Sequence, residues 1–182
     1  MSFNLCIFCG SSSPQDKEII LKIENLINQI VSVEGINLVY GGAKIGLMGK
    51  VAEKFLQNGK DVLGVMPSFL KKREVDHKSL TNFIETESMH ERKQLMYDKA
   101  DAFLVLPGGY GTLDELFEAS CWSQLNRHEK PISVFNPKDF YGPLQRMIKN
   151  MEIEGFISPE DRKIIHFSES FASISSHLGF AQ

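Results

Sequence analysis

The sequence lacks the features that mark membrane, nucleic-acid-binding and exported proteins. Its 20 Lys and Arg residues stand against 23 Asp and Glu, for a formal net charge of −3, so no general basic excess attracts nucleic acid or an anionic membrane. No apolar run approaches the roughly 20 residues of a membrane-spanning helix, and residues 1–4 carry no basic region of a signal peptide. We therefore predict a cytoplasmic protein whose main partner is neither nucleic acid nor a membrane.

Cysteine is also scarce, with three residues in the chain, an odd number that agrees with a reducing compartment. Cys6 and Cys9 have the C-x-x-C spacing of redox and metal sites. They lie in a strand-like run, however, where residues three apart point to opposite faces and are roughly 10 Å apart. A disulfide requires Cα atoms within about 7 Å of each other. We interpret both as buried apolar side chains rather than as a redox or metal site.

What the chain does contain is a repeated alternation of apolar runs and amphipathic stretches. Strands that are apolar throughout predict a parallel sheet covered on both faces. A chain of 182 residues with 42% hydrophobic residues suffices for one core, and no composition break marks a linker. We predict one α/β domain over residues 1–182, a Rossmann-like doubly wound parallel sheet with helices on both faces. The predicted strands are residues 5–9, 36–40, 61–66, 102–106, 132–135 and 164–167, and the predicted helices are residues 16–33, 46–58, 89–99, 112–126, 141–154 and a last one from 170.

Glycine-containing turns follow three of these strands, at the sheet edge where such folds bind ligands. The turns are residues 10–13, 41–49 and 107–112. None matches a dinucleotide fingerprint, and Leu47 stands where a P-loop requires lysine. The pattern disfavours a nicotinamide oxidoreductase and a phosphate-transferring ATPase. It predicts a site for a monophosphate or a similar small anion.

Residues 104–115 are the stretch around which the rest is organised, because they read as a buried strand, a glycine turn and a helix start. The first amides of a helix lack intrahelical acceptors and lie at the positive end of its dipole, which suits a phosphate. Glu115 follows Thr112 by three residues, so an ordinary capping box is the alternative. Helical spacing puts Glu115 on a covered side with Glu118, Ala119 and Trp122, facing a cleft or a partner subunit. The predicted core side is Leu113, Leu116, Phe117, Ser120, Cys121 and Gln124.

A second candidate stretch begins at Met89. Arg92 and Lys93 share one helical face with Met96, which aligns two cationic groups along an apolar stripe. A solvated charge run is the alternative, and His90, for which the sequence offers no partner, is interpreted as structural. Since this helix leads into the strand before Glu115, we expect Arg92 and Glu115 to meet at the cleft.

These two stretches together resemble the signature of the Lonely guy family, the cytokinin-activating phosphoribohydrolases, whose members were often labelled lysine decarboxylases. The resemblance also extends to residues 9–12 and 41–49. It implies a Rossmann-like homodimer. Trp122 and the Met89/Met96 stripe suit an interface, and packing inside the subunit is the alternative for both. It further implies hydrolysis of a nucleoside 5′-monophosphate (AMP or an N6-modified adenine riboside monophosphate) to free base and ribose 5-phosphate, without a metal or cofactor. The matching residues are Met89-His90-x-Arg92-Lys93 and Pro107-Gly108-Gly109-x-Gly111-Thr112-x-x-Glu115.

The resemblance assigns roles to individual residues. Arg92 and Glu115 match the catalytic pair, and Glu74, in the polar connection after the third predicted strand, resembles a glutamate that contacts the nucleotide. Two positions depart from the pattern, because Cys121 replaces a common threonine and Ala43 replaces a glycine. The implied substrate-binding residues are Gly10, Ser11, Glu74, Arg92, Lys93, Gly109, Tyr110, Gly111, Thr112, Leu113, Asp114, Glu115 and Cys121.

Two other functions remain open from the sequence. A decarboxylase needs pyridoxal phosphate and a Schiff-base lysine, for which Lys44 and Lys93 qualify only by location. A non-catalytic nucleotide sensor that signals to a partner needs the same cleft. An intact Arg92 with Glu115 favours hydrolysis over the sensor, which has little use for that pair.

Overall fold

Seven parallel strands form one sheet in the computed structural model, which describes residues 2–70 and 80–180. Their order across the sheet is β4-β3-β2-β1-β5-β6-β7, and every neighbouring pair runs parallel. The strands β1 to β7 are Phe3–Phe8, Ile36–Tyr40, Val62–Pro67, Asn82–Thr86, Ala102–Val105, Ile132–Phe135 and Ile165–Ser168. The helices α1 to α6 are Lys17–Val31, Gly46–Gln57, Met89–Lys99, Tyr110–Gln124, Gly142–Ile153 and Phe171–Leu178.

The core lies in two apolar layers, one on each face of the sheet. In β1, Leu5 and Ile7 belong to the layer under α1, α2 and α6, whereas Cys6 and Phe8 belong to the layer under α3, α4 and α5. Both faces of β1 are therefore buried from Leu5 to Phe8, which is why this part of its sequence is apolar. The predicted doubly wound parallel sheet is confirmed. None of the helices in the described ranges combines the length and apolar character needed to cross a bilayer.

Cys6 and Cys9 behave as predicted. Both are free and buried, and they belong to different layers of the core. Their side chains therefore lie on opposite faces of the sheet.

The strand order reverses beside β1, which pairs with β2 on one side and with β5 on the other. Such a switch point opens a crevice at the carboxyl ends of the two strands. Here the turns are joined by main-chain hydrogen bonds, since Gly10 N donates to Pro107 O at 3.4 Å and Met48 N donates to Gly10 O at 3.4 Å. The three glycine turns identified in the sequence thus meet at one place.

Two features of the fold differ from the prediction, an added edge strand and the start of α4. The polar connection after the third predicted strand contains an additional strand, β4, at the edge of the sheet. Its residues are only partly buried, so it lacks the continuous apolar run used to recognise the others. The helix predicted from Thr112 begins at Tyr110 instead, because Gly109 takes the extended conformation of an N-cap.

Candidate active site

The start of α4 is built on glycine rather than on a capping side chain. Gly109 is the N-cap and supplies no side-chain hydrogen bond. Thr112 is buried inside the helix, where its side chain packs against Gly108. A Cβ atom at Gly108 would lie 2.1 Å from Thr112 Oγ1. The capping-box alternative is therefore wrong, and no side chain of the N-cap residue occupies the first amides of the helix.

Arg92 reaches the same edge from α3. Its Nε donates to Val65 O at 3.1 Å and its Nη2 donates to Gly41 O at 3.3 Å. These carbonyls belong to the end of β3 and to the residue after β2, so the guanidinium lies across the carboxyl ends of two strands. Glycine at residue 41 leaves room for this guanidinium, since a Cβ atom there would lie 2.0 Å from Arg92 Nη2.

Glu115 faces the remaining side of this guanidinium. Arg92 Nη1 lies 3.7 Å from Glu115 Oε1, and the two residues are only 6% and 7% exposed. The expected meeting of Arg92 and Glu115 is confirmed. The carboxylate also affects Cys9, whose thiol pKa is raised by burial first and by the charge of Glu115 second. A buried ion pair at a sheet switch point is costly to maintain, which makes it a candidate for chemistry.

Lys93 is engaged differently from its neighbour. Its Nζ lies 3.0 Å from Asp114 Oδ2 and forms a closer ion pair with Glu118. Burial lowers the pKa of Lys93, but hydrogen bonds to Glu118 and Asp114 outweigh that effect, so the net pKa is raised. Tyr97 OH donates to Glu118 Oε2 at 3.1 Å. The Lys93 ammonium is thus directed at the carboxylates of α4.

The other predicted substrate-binding residues differ in their position and exposure. Gly10 and Ser11 lie in the turn after β1, packed so closely on the next turn that a Cβ atom at Gly46 would lie 2.1 Å from Ser11 O. Glu74 lies outside the described residues. The first turn of α4 exposes most of its predicted contacts and partly buries Leu113. The exposed ones are Gly109, Tyr110, Gly111 and Asp114.

The prediction for α4 is right in part, because Leu116 is buried on the predicted core side, and Glu115 and Ala119 are buried on the side predicted to be covered. Cys121 and Gln124 are exposed, whereas the buried residues are Thr112, Glu115, Leu116 and Ala119. The stripe is rotated because α4 packs against α3 as well as against the sheet, and α3 presents Lys93 and Tyr97 there. Charged side chains on this side of α4 are buried or partly buried because they form ion pairs with α3. A search for hydrophobic periodicity does not detect such residues. Glu118 was missed as a site residue, although its spacing of three residues from Glu115 placed it on the same side.

Comparison with known proteins places the chain in a family. A family model described as "Possible lysine decarboxylase" matches residues 48–178. Two Arabidopsis thaliana proteins, cytokinin riboside 5′-monophosphate phosphoribohydrolases LOG2 and LOG7, are 42% and 43% identical over 161 residues, which is 88% of this chain and 75% and 74% of theirs. The chain belongs to the Lonely guy family.

A solved structure shares the fold of this Lonely guy family member. The molybdenum cofactor binding protein of Rippkaea orientalis superimposes with a TM-score of 0.70, covering 97% of this chain and 94% of that chain. At 17% sequence identity, the likeness is one of fold alone.

The two departures from the Lonely guy pattern have different surroundings. Ala43 lies within the second-strand turn and is fully buried against the core, so its extra methyl group is accommodated there. Cys121 is exposed and lines a groove beside α5 with Ile148 and Met151. It lies six residues beyond Glu115 on α4, which is a different side of the helix. The structure does not bring Cys121 to the Arg92 and Glu115 pair.

Proposed function

We propose that this protein hydrolyses the N-glycosidic bond of a nucleoside 5′-monophosphate and releases free base and ribose 5-phosphate. The names of its relatives, at about 42% identity, support this class of reaction. The single observation that carries the proposal is the buried pair of Arg92 and Glu115, 3.7 Å apart, beside a glycine-started helix.

Glu115 has the position and chemistry to act on the sugar. Breaking the glycosidic bond builds positive charge on the ribose, which a carboxylate stabilises while it orients or deprotonates the attacking water. Arg92 favours the ionised form of Glu115 through its positive charge. Two of its donors are held by Gly41 O and Val65 O, so the guanidinium cannot follow a moving ligand.

The start of α4 is proposed to hold the 5′-phosphate. The amides that follow Gly109 lie at the positive end of the helix dipole. Binding energy from the phosphate then positions the ribose over Glu115, one turn further along α4. Gly10, Ser11 and Glu74 are proposed to complete the substrate contacts from the neighbouring segments.

The decarboxylase alternative fits these residues poorly. A Schiff-base lysine must be a neutral amine when it attacks, whereas hydrogen bonds to Glu118 and Asp114 outweigh burial and raise the pKa of Lys93. Lys44 is exposed on the surface. The sensor alternative lacks a reason for the buried Arg92 and Glu115 pair.

We also propose that the protein acts as a cytoplasmic homodimer. Met96 is buried in the core of its own chain, and the partly buried Trp122 packs against Tyr97 with ring centroids 6.2 Å apart, so both side chains make contacts within the subunit. Exposed apolar side chains on α5 and after the ends of α4 and α5 supply apolar area that a second copy would cover. These are Leu125, Met147, Ile153 and Phe156. Sedimentation equilibrium measures this directly, and a monomer at micromolar concentration contradicts the proposal.

The activity is tested by chromatography of free base after incubation with AMP, N6-prenyl AMP and adenosine. We expect release from a monophosphate and little from adenosine, because the phosphate supplies the positioning. Glu115→Gln should keep the fold and bind AMP but release base about 10² to 10⁴ times more slowly, the worth of one positioned acid or base. Glu24→Gln, an exposed glutamate on α1, is the matched control. Near-normal turnover by Glu115→Gln contradicts the mechanism, and wild-type binding of AMP without base release favours the sensor.

A further inference from the structure

Four side chains join α3 to α4 on either side of Glu115, and we call them the α3–α4 clamp: Lys93, Tyr97, Asp114 and Glu118. Lys93 and Tyr97 are one turn apart on α3, and Asp114 and Glu118 are one turn apart on α4. Lys93 Nζ pairs with both carboxylates, and Tyr97 OH donates to Glu118 Oε2 at 3.1 Å. Glu118 is the member that receives both α3 side chains.

The clamp is connected to the catalytic pair on both helices. Arg92 is adjacent to Lys93 in α3, and Glu115 is adjacent to Asp114 in α4. Tyr97 OH also lies 3.4 Å from Glu115 O, the main-chain carbonyl of the proposed catalytic residue. A contact that fixes the rotation and height of α4 against α3 therefore fixes the distance between the guanidinium and the carboxylate.

Of the two carboxylates in the clamp, Glu118 is more buried than Asp114 and is therefore the one that holds α4 against α3. Its side chain is 23% exposed against 56% for Asp114, while that of Lys93 is 9% exposed. An ion pair that is largely shielded from water is stronger and better ordered than an exposed one. Asp114 can follow Lys93 through solvent, whereas Glu118 is held between two buried partners.

We propose that Glu118 is a positioning residue that holds Glu115 in register with Arg92. This inference rests on the proposed hydrolase function. It also gives Lys93 a role in the clamp, where its ammonium pairs with Asp114 and Glu118. Glu118 belongs to neither core layer, but its removal releases Lys93 and Tyr97 OH from α4, so the turn that carries Glu115 gains freedom.

The test compares Glu118→Ala and Glu118→Gln with the wild type for kcat and KM of base release from AMP. We expect kcat to fall about 10- to 100-fold for Glu118→Ala with KM changed less than about threefold, since a displacement near 1 Å costs up to about 10²-fold in rate. Glu118→Gln keeps the size of the side chain and an acceptor for Tyr97 OH, so it should recover part of the loss. Melting temperatures identify any variant that fails to fold, and Glu129→Ala, an exposed glutamate on a loop, is the control.

A second comparison places Glu118→Ala in the Glu115→Gln background. If Glu118 acts through Glu115, the double variant should be no slower than Glu115→Gln alone. A wild-type kcat in folded Glu118→Ala, an effect confined to KM, or a further loss of kcat in the double variant overturns the inference while the proposed function stands. Failure of the wild type to release base from any nucleoside monophosphate removes the proposed function and this inference together.

Discussion

Substitution of Gly41 by alanine should displace the guanidinium of Arg92, which contacts Gly41 although the two residues are far apart in sequence. The added Cβ atom would lie 2.0 Å from Arg92 Nη2 and 3.2 Å from both Arg92 Cζ and Met48 Sδ. Ordinary van der Waals contact begins at 3.4 Å, so Nη2 must retreat by about 1.4 Å, the difference between these two distances. Gly41 is not among the glycines with positive φ, and alanine therefore introduces no backbone strain of its own.

The consequences follow from the contacts of the displaced guanidinium. The hydrogen bond from Nη2 to Gly41 O, now 3.3 Å, is lost, at a cost of about 1.5 to 3 kcal/mol for a charged donor. In a domain of this size that lowers the melting temperature by about 3 to 12 °C. Movement of more than 1 Å beside Glu115 should reduce kcat/KM for base release by about 10²-fold.

The assay measures base release from AMP and the melting temperature, each with and without Arg92→Ala. In the Arg92→Ala background the guanidinium is absent, so Gly41→Ala should cost much less stability, and the two substitutions should be strongly non-additive. Full turnover by Gly41→Ala, or an equal loss of melting temperature in both backgrounds, refutes the idea that glycine is needed here to seat Arg92.

Two further predictions concern titratable groups elsewhere in the chain. Cys121 should be the one thiol that reacts rapidly with a disulfide reagent in the native protein, because Cys6 and Cys9 are buried and burial raises their pKa; rapid labelling of a second thiol contradicts this. His166 and His177 stack with ring centroids 4.4 Å apart, and burial lowers the pKa of both. As the pH falls, the two histidines bind protons in the unfolded protein, near pH 6.5, before they do so in the folded protein. Their contribution to the free energy of unfolding is therefore complete above about pH 6.5 and decreases below it. The melting temperature should therefore decline from pH 7.5 to pH 5.5 less steeply in His177→Gln, and an unchanged slope would show that the pair plays no part.

The sequence predicted the parts of the molecule that depend on continuous apolar runs and on chain order. The central strands bury both faces, so their composition alone indicated a parallel sheet. Arg92 and Glu115 were expected to meet because one helix enters and the next leaves the same strand, β5. The edge strand β4 was missed because half of it faces away from the core.

The side-chain arrangement on α4 was less predictable. Gly109 and Thr112 both qualify as N-caps by residue type, and only the extended backbone at Gly109 decides between them. The buried side of α4 includes Glu115 because Arg92 compensates its charge. A hydrophobic pattern counts such a residue as exposed. The pairing of Lys93 with Glu118 joins residues 25 positions apart and depends on how two helices pack.

The two residues whose carbonyls accept hydrogen bonds from Arg92, Val65 and Gly41, do not tolerate substitution equally. At position 65 the contribution is a main-chain carbonyl, so any apolar residue that fills the core leaves that hydrogen bond in place. Position 41 contributes a carbonyl as well, but it must also leave empty the space that a side chain would fill. A change of apolar residue at Val65 is therefore compatible with an intact guanidinium, whereas a side chain at position 41 requires the guanidinium of Arg92 to move.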